Sequence, residues 1–467
     1  MKKRNGKGFL LLLISFMIFL VVGCASEESI QGENGEGNNL ETENDNENEA
    51  SESENNNYNN ENENDEEDLE PVTLLMMTHW DDGQFENRIK SHVEDKYPHI
   101  TIEHIESKMD EIEEKVFAKG FQPDIIMTSV NDYYLDMDLL LDLNPLIESN
   151  DFDLDRIEPS ILEYLEEMSH DGELNGLPYI RPEYALVYNK DIFDLFGAPY
   201  PEDNMTWDEV IDLAQEVTGE RNGVQYRGLH AALPGVFEFM LSQVEDTYLV
   251  DPETHEPIID ESETFKLYLQ RLEEIYRIPG NEMASAEGDE RAVNLMRSGE
   301  LAMAADRAFA GTYADTSSET GIEFDFVTYP IWGEEYGEYG PNEPGNGLVV
   351  TTTSEHPEEA FRVLTYLLGD EHQTWQASTG NLPAVITQDV RDAFLTDHDH
   401  YDLLEDKNLN AITDATAAPL PIKSQYENEI LKETDYGEGL FNGEDINTII
   451  RKLQDEAEGK AKDVLSK

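Results

Sequence analysis

One cysteine, Cys24, occurs among 467 residues. A single thiol excludes a disulfide framework within the chain and a thiolate-rich metal centre. Positive charge is scarce too: 31 Lys and Arg stand against 103 Asp and Glu, for a net charge of −72. Such a chain repels phosphate backbones and anionic bilayer surfaces, so no nucleic acid is expected as a partner. A spanning helix needs ~20 apolar residues, and the N-terminal run Phe9–Val22, interrupted by Ser15, falls short of that. Also missing are G-x-S-x-G, a P-loop, H-E-x-x-H and G-x-G-x-x-G, which removes the nucleophile-elbow, phosphate-cradling and zinc-protease chemistries those motifs carry. The cluster His79-Trp80-Asp81-Asp82 holds possible metal ligands but reads as loop and pocket lining. No metal and no cofactor are expected. Pairs of carboxylates can run glycoside hydrolysis, yet with 103 acidic residues such pairs arise by chance and carry no signal. There is no internal repeat.

What is present begins at the N-terminus. Lys2, Lys3, Arg4 and Lys7 precede the apolar run, the arrangement of a secretory signal peptide. The following Val21-Val22-Gly23-Cys24 resembles the lipobox of bacterial lipoproteins. That resemblance implies cleavage after residue 23 and a lipid on the Cys24 thiol, a tether to the cell membrane facing outward. Between residues 25 and 70 there are 18 acidic side chains and no basic ones, among Asn, Gly and Ser. A segment with so little apolar surface cannot offset its ordering entropy, so 24–70 reads as a disordered, charge-extended stalk. Residues 71–467 retain a charge of −58, which suits a salty or alkaline medium outside the cell.

The body alternates strand and helix. PVTLLMMTHW (71–80) is a continuous apolar run, as in a strand buried on both faces. Phe85, Ile89 and Val93 follow at helical spacing before Pro98; HITIEHI (99–105) and DIIMTS (124–129) read as further strands. Thr206-Trp207-Asp208-Glu209 is a capping box ahead of Val210, Leu213, Ala214 and Val217 on one helical face. Pro357 opens another helix, presenting Ala360, Leu364, Leu367 and Leu368. The class is α/β, with length enough for two domains.

From Asn175 the chain reads NGLPYIRPEYALVYNKDIFDLFGAPYPEDNMTWDEVIDLAQEVT. Gly176-Leu177-Pro178-Tyr179, Tyr188-Asn189-Lys190-Asp191, Phe193, Gly197 and Thr206-Trp207-Asp208-Glu209 resemble the pattern of extracellular solute-binding proteins of family 1, which serve ABC importers of sugars. Weaker echoes lie in PDIIMTS, in LLLDLNPLI (139–147), in SGELAMAADRAFAG (298–311) and in residues 356–384. The resemblance implies a two-lobed, periplasmic-binding-protein-like fold with hinge strands and a ligand cleft between the lobes. By analogy lobe 1 takes 71–180 and 348–415, and lobe 2 takes 181–347 and 416–467. It further implies a monomer that captures a carbohydrate, an oligosaccharide, hands it to an ABC permease and does no chemistry. Two other readings stay open: a secreted carbohydrate-active enzyme, and a surface sensor or adhesin on the same fold.

Several residues are candidates for the cleft. Trp80, followed by Asp81, ends the first strand, where parallel strands face a crevice; its ring is either a platform for sugar C–H faces or a wedge against the next helix. Tyr133 and Tyr134 follow another strand in the same way. Tyr179 is cleft lining or hinge packing, and Trp332 stands in the loop-rich run before the second crossing. Trp207 and Trp375 lie on helices and read as core. Where the family often has Gly and then Trp, this chain has Arg307 and Phe309; Phe309 can stack. Arg181 and Arg307 either bind a carboxylated sugar such as a uronate or pair with Asp306 and Glu183 to hold the hinge.

Overall fold

The computed structural model describes residues 69–108, 111–128, 138–169, 172–231, 240–244, 247–282, 292–333, 335–342, 345–432 and 436–466. The expected signal peptide, Cys24 and residues 25–68 of the expected stalk lie outside these residues, as do Tyr133 and Tyr134.

Among the described residues, ten strands form two sheets. The strands are β1 (Val72–Thr78), β2 (Ile100–Glu106), β3 (Ile125–Thr128), β4 (Leu177–Ile180), β5 (Tyr184–Asn189), β6 (Gly219–Arg221), β7 (Val224–His230), β8 (Leu301–Arg307), β9 (Phe324–Val327) and β10 (Asn346–Val350). The first sheet has the order β2-β1-β3-β10-β4 and the second β6-β7-β8-β5-β9. In the first, β1 runs parallel to β2 and β3, while β10 is antiparallel to β3 and β4. In the second, β5 is antiparallel to β8 and β9, and β7 is parallel to β8. The β6–β7 hairpin turns on Asn222-Gly223, both at positive φ (53° and 81°), the geometry that matches strand twist and favours this dipeptide.

Apolar patterning explains the layers. Leu74, Met76, Ile102, Ile125 and Ile126 pack with Phe85, Ile89 and Val93 of the helical stretch 82–96, and with Ala360, Phe361, Leu364, Leu367 and Leu368 of helix Pro357–Leu367 and its end. The second sheet is covered on both faces: Tyr184, Leu186 and Tyr188 of β5 join one core, Ala185 and Val187 the other. The first of these cores holds Trp207, Val210, Leu213, Ala214 and Val217 of helix Trp207–Val217, whose N-terminus carries the full Thr206/Glu209 capping box. The long family-like string is mostly scaffold. Asn189 caps helix Lys190–Phe196, Gly197 ends it at φ 71°, and Lys190 reaches Glu323 (3.3 Å) and Asp325 (3.8 Å).

Among the described residues, three chain passes join the sheets. The first is Arg181-Pro182-Glu183, between β4 and β5; the second is 328–345, between β9 and β10; the third is 379–384, leaving helix Asp370–Ser378. The third pass differs from the expected crossing near Thr416. Leu382, Phe394, Leu395, Leu404, Ala411 and Ile412 share a core with β5, β8 and β9, whereas Val385 bridges Ile157 and joins Val390 and Ala377 in a small separate cluster.

Candidate functional site

Only three residues separate β4 from β5, so the end of the first sheet that carries Ile180 meets the end of the second that carries Tyr184. Register places Thr128 and Thr78 at that same end of the first sheet, and Arg307 opposite Tyr184 in the second. Loops leaving these strand ends are where an α/β crevice gathers ligands.

On the first sheet, Trp80 follows β1 and is 8% exposed. Its ring lies under the Arg88 guanidinium (5.1 Å) and 6.5 Å from the Tyr179 ring, the wedged arrangement. Asp81 is exposed, and its carboxylate accepts the Gln84 N–H at 2.9 Å as a helix cap. Tyr179 is 0% exposed and its hydroxyl is 2.8 Å from Nε2 of His372; burial raises its pKa further above the ordinary phenol value. In this conformation Tyr179 packs the hinge and offers no surface. Among the described residues no three His, Cys, Asp or Glu side chains gather as a metal ion would require; Asp82 instead holds His104 Nδ1 at 2.8 Å.

Arg181, in the first pass, is 8% exposed. It donates from Nε to the Pro383 carbonyl (2.9 Å) and from Nη1 to Glu158 (3.1 Å). Its carboxylate partner is thus Glu158, not Asp306 or Glu183. Beside it lies a cavity of about 30 Å³ lined by Arg181, Tyr184, Tyr329, Asn342, Leu382 and Thr416. This has room for water but not for a sugar ring, and the buried Tyr329 hydroxyl, without a partner among the described residues, suits a water there.

The second sheet presents a different group. Glu183 closes the first pass, and its backbone carbonyl accepts the Ala308 N–H at 2.9 Å. Its half-buried carboxyl is pushed up to about 7 by burial, against the Ala310 N–H and the Arg307 charge, which pull it down. It therefore caps helix Ala310–Thr320 from outside, and near neutral pH it is poised between donor and acceptor. Arg307 is half-buried at the end of β8. Phe309, two residues on, is 48% exposed and sits at φ 38°, ψ 51°. A bulky residue in the left-handed region is strained, and here the strain coincides with a ring directed outward. Trp332 is half-buried, donates its Nε1–H to the Met240 carbonyl at 2.7 Å and lies 5.9 Å from the Tyr336 ring.

Contacts among the candidates are therefore selective. Trp80 and Tyr179 meet in one packed cluster; Arg307 lies beside Glu183, with Phe309 two residues further on; Trp332 is anchored in the second pass. Sequence reasoning treated Glu183 only as an ion-pair partner, and its place between hinge and strand was the available signal.

The profile of the bacterial extracellular solute-binding proteins matches residues 82–374. Solved structures share the fold at low identity. The chain resembles an ABC substrate-binding protein of Listeria monocytogenes in complex with cycloalternan (18% identity, TM-score 0.60, 84% of this chain and 99% of that one). It also resembles a sugar transporter of Rhizobium etli in an open conformation (18%, 0.64, 84% and 99%), and the sugar-binding protein MalE of Xanthomonas citri (15%, 0.65, 84% and 98%). The matched profile spans well over half the sequence, and the fold is shared with these solved structures: the chain belongs to the bacterial extracellular solute-binding proteins.

Proposed function

We propose that this protein is a lipid-anchored receptor, tethered outside the cell through Cys24, that captures an oligosaccharide between its two lobes and delivers it to an ABC import permease without altering it. The observation that carries the reading is the outward Phe309 ring, held by a strained backbone beside Arg307 and Glu183 at the strand ends facing the first sheet. An exposed aromatic plate flanked by hydrogen-bonding charges is what a sugar needs, with its apolar C–H face and polar rim. Trp80, Asp81, Tyr133, Tyr134 and Trp332 are the further lining groups of this reading. Tyr179 and Arg181 support it from behind.

Ligand charge is the finer point. Arg307 can offer a guanidinium to a carboxylated sugar such as a uronate, whereas Arg181 is committed to the hinge. A thermal-shift screen of the full chain against mannotriose, cycloalternan and an oligogalacturonide tests both levels. A rise in Tm with one of them and no release of reducing ends supports a receptor; release of reducing ends would establish an enzyme. Weak, multivalent polymer binding would favour an adhesin. If Arg307→Ala leaves oligogalacturonide binding unchanged, the acidic ligand is discarded.

A further inference from the structure

The hinge contains one side chain that ties two of its passes to both lobes. The first and third passes already pair through their backbones: Ile180 bridges Pro383, and the Arg181 N–H donates to the Leu382 carbonyl at 2.9 Å. The Arg181 guanidinium then crosses this ribbon. Nε reaches the Pro383 carbonyl of the third pass (2.9 Å), Nη1 the Glu158 carboxylate at the start of helix Pro159–Met168 on the first sheet (3.1 Å), and Nη2 the Thr413 carbonyl on the second-sheet side (3.5 Å). These acceptors stand 202, 23 and 232 residues away.

We propose that Arg181 is a positioning residue for ligand capture: it straps the first and third passes to both lobes, so that the lobes close about one shared pivot, and it touches no ligand. Three physical points support this. Arginine is seldom buried unless its donors are used, and here all three nitrogens have acceptors. Only a planar fork can address three acceptors in fixed directions; lysine brings one mobile ammonium. Closure of two lobes around a ligand is carried by a few residues where the chain passes between them. A strap joining two of the three passes removes their independent rotation and narrows the range of lobe angles in the empty protein. Loss of the strap lowers the fraction of molecules poised to close, and apparent affinity falls by that fraction.

The test uses the full chain with Cys24→Ser and spin labels at Asp95→Cys and Glu216→Cys. Both positions are exposed, and both lie near the C-terminal ends of helices, Ser91–Lys96 before β2 and Trp207–Val217 before the β6–β7 hairpin. Pulsed electron–electron distance measurements on the empty protein should give one narrow distribution. Arg181→Met should broaden it at least twofold, and Arg181→Lys should restore part of the narrowing. A distribution unchanged in Arg181→Met, with only a lower Tm, would show Arg181 to be a structural contact and overturn the proposal. If Arg181→Met does not fold, Glu158→Gln decides: it keeps both carbonyl bonds and weakens one end of the strap, so a broader distribution supports the proposal and an unchanged one overturns it. No ligand is needed, so a failure here is distinct from a failure of the carbohydrate reading.

Discussion

Phe309 allows the ring's role to be separated from the backbone's. At φ 38° and ψ 51° a residue with a Cβ carries about 1–2 kcal/mol of strain that glycine does not. Phe309→Gly therefore gains about that much in the folded state. Against it stand the lost burial of a half-exposed ring, about 1–1.5 kcal/mol from the 1.5–3 kcal/mol of a fully buried one, and about 0.5–1 kcal/mol for the freer unfolded glycine. These nearly cancel, so urea unfolding should place Phe309→Gly within about 1 kcal/mol of the parent. Truncating a core phenylalanine costs about 3–5 kcal/mol. Phe309→Ala loses the ring and keeps the strain, so it should be less stable than the glycine variant by about 1 kcal/mol.

Binding should move in the opposite way. If the ring is a sugar platform, both variants weaken the oligosaccharide that gives the largest thermal shift by about tenfold, or about 1.4 kcal/mol, measured by calorimetry. Phe309→Trp restores it. A glycine variant destabilised by more than about 3 kcal/mol, or one binding as tightly as the parent, would refute the reasoning: the first would make Phe309 core, the second a bystander.

Other perturbations test the scaffold. Burial holds His372 at about 3, well below its ordinary 6.5, so the folded state keeps it neutral while the unfolded chain protonates; the stability is complete above pH 6.5 and drains away as pH falls toward 3. Between pH 6.5 and 4 this amounts to about 3 kcal/mol, and His372→Gln should flatten the acid limb of the stability curve by that order. Gly345 sits at φ 64° with the Ile180 carbonyl oxygen where a Cβ would go, so Gly345→Ala should lower stability by more than about 1 kcal/mol, read as a fall in Tm. Gln243 joins the Trp207 indole (3.1 Å) to the Pro330 and Tyr339 carbonyls (both 2.7 Å); Gln243→Leu strands three buried polar groups and should cost more than about 2 kcal/mol in urea.

Much of the fold was legible because its determinants are local. The capping box at Thr206, the Pro357 start and the apolar run of β1 each act within one element, and each forms as its pattern dictates. The family-like string is legible for the same reason, and for the same reason says little about ligand: Asn189 caps, Lys190 pairs, Trp207 packs. The third pass was not legible. Residues 382–412 form short, irregular turns of helix, so Leu382, Phe394 and Leu404 show no period, and only the face they cover identifies their lobe.

The two arginines show where sequence reasoning stops. Arg181 follows β4 and Arg307 ends β8, both sit near acids, and in a chain with 31 basic residues both looked equally fit for a ligand. What separates them is distance along the chain. Arg181 is occupied by carbonyls more than 200 residues away, acceptors that every sequence has and that leave no mark on composition. Arg307 gathers with Glu183, a carboxyl lifted to about 7 by burial, and next to an outward ring. Backbone acceptors make an arginine structural without any visible partner residue, whereas a half-titrated acid beside a strained, exposed aromatic is a costly arrangement that a merely structural contact would not require. What commits Arg181 to the hinge is therefore the pair of carbonyls that the fold brings to its guanidinium from distant parts of the chain.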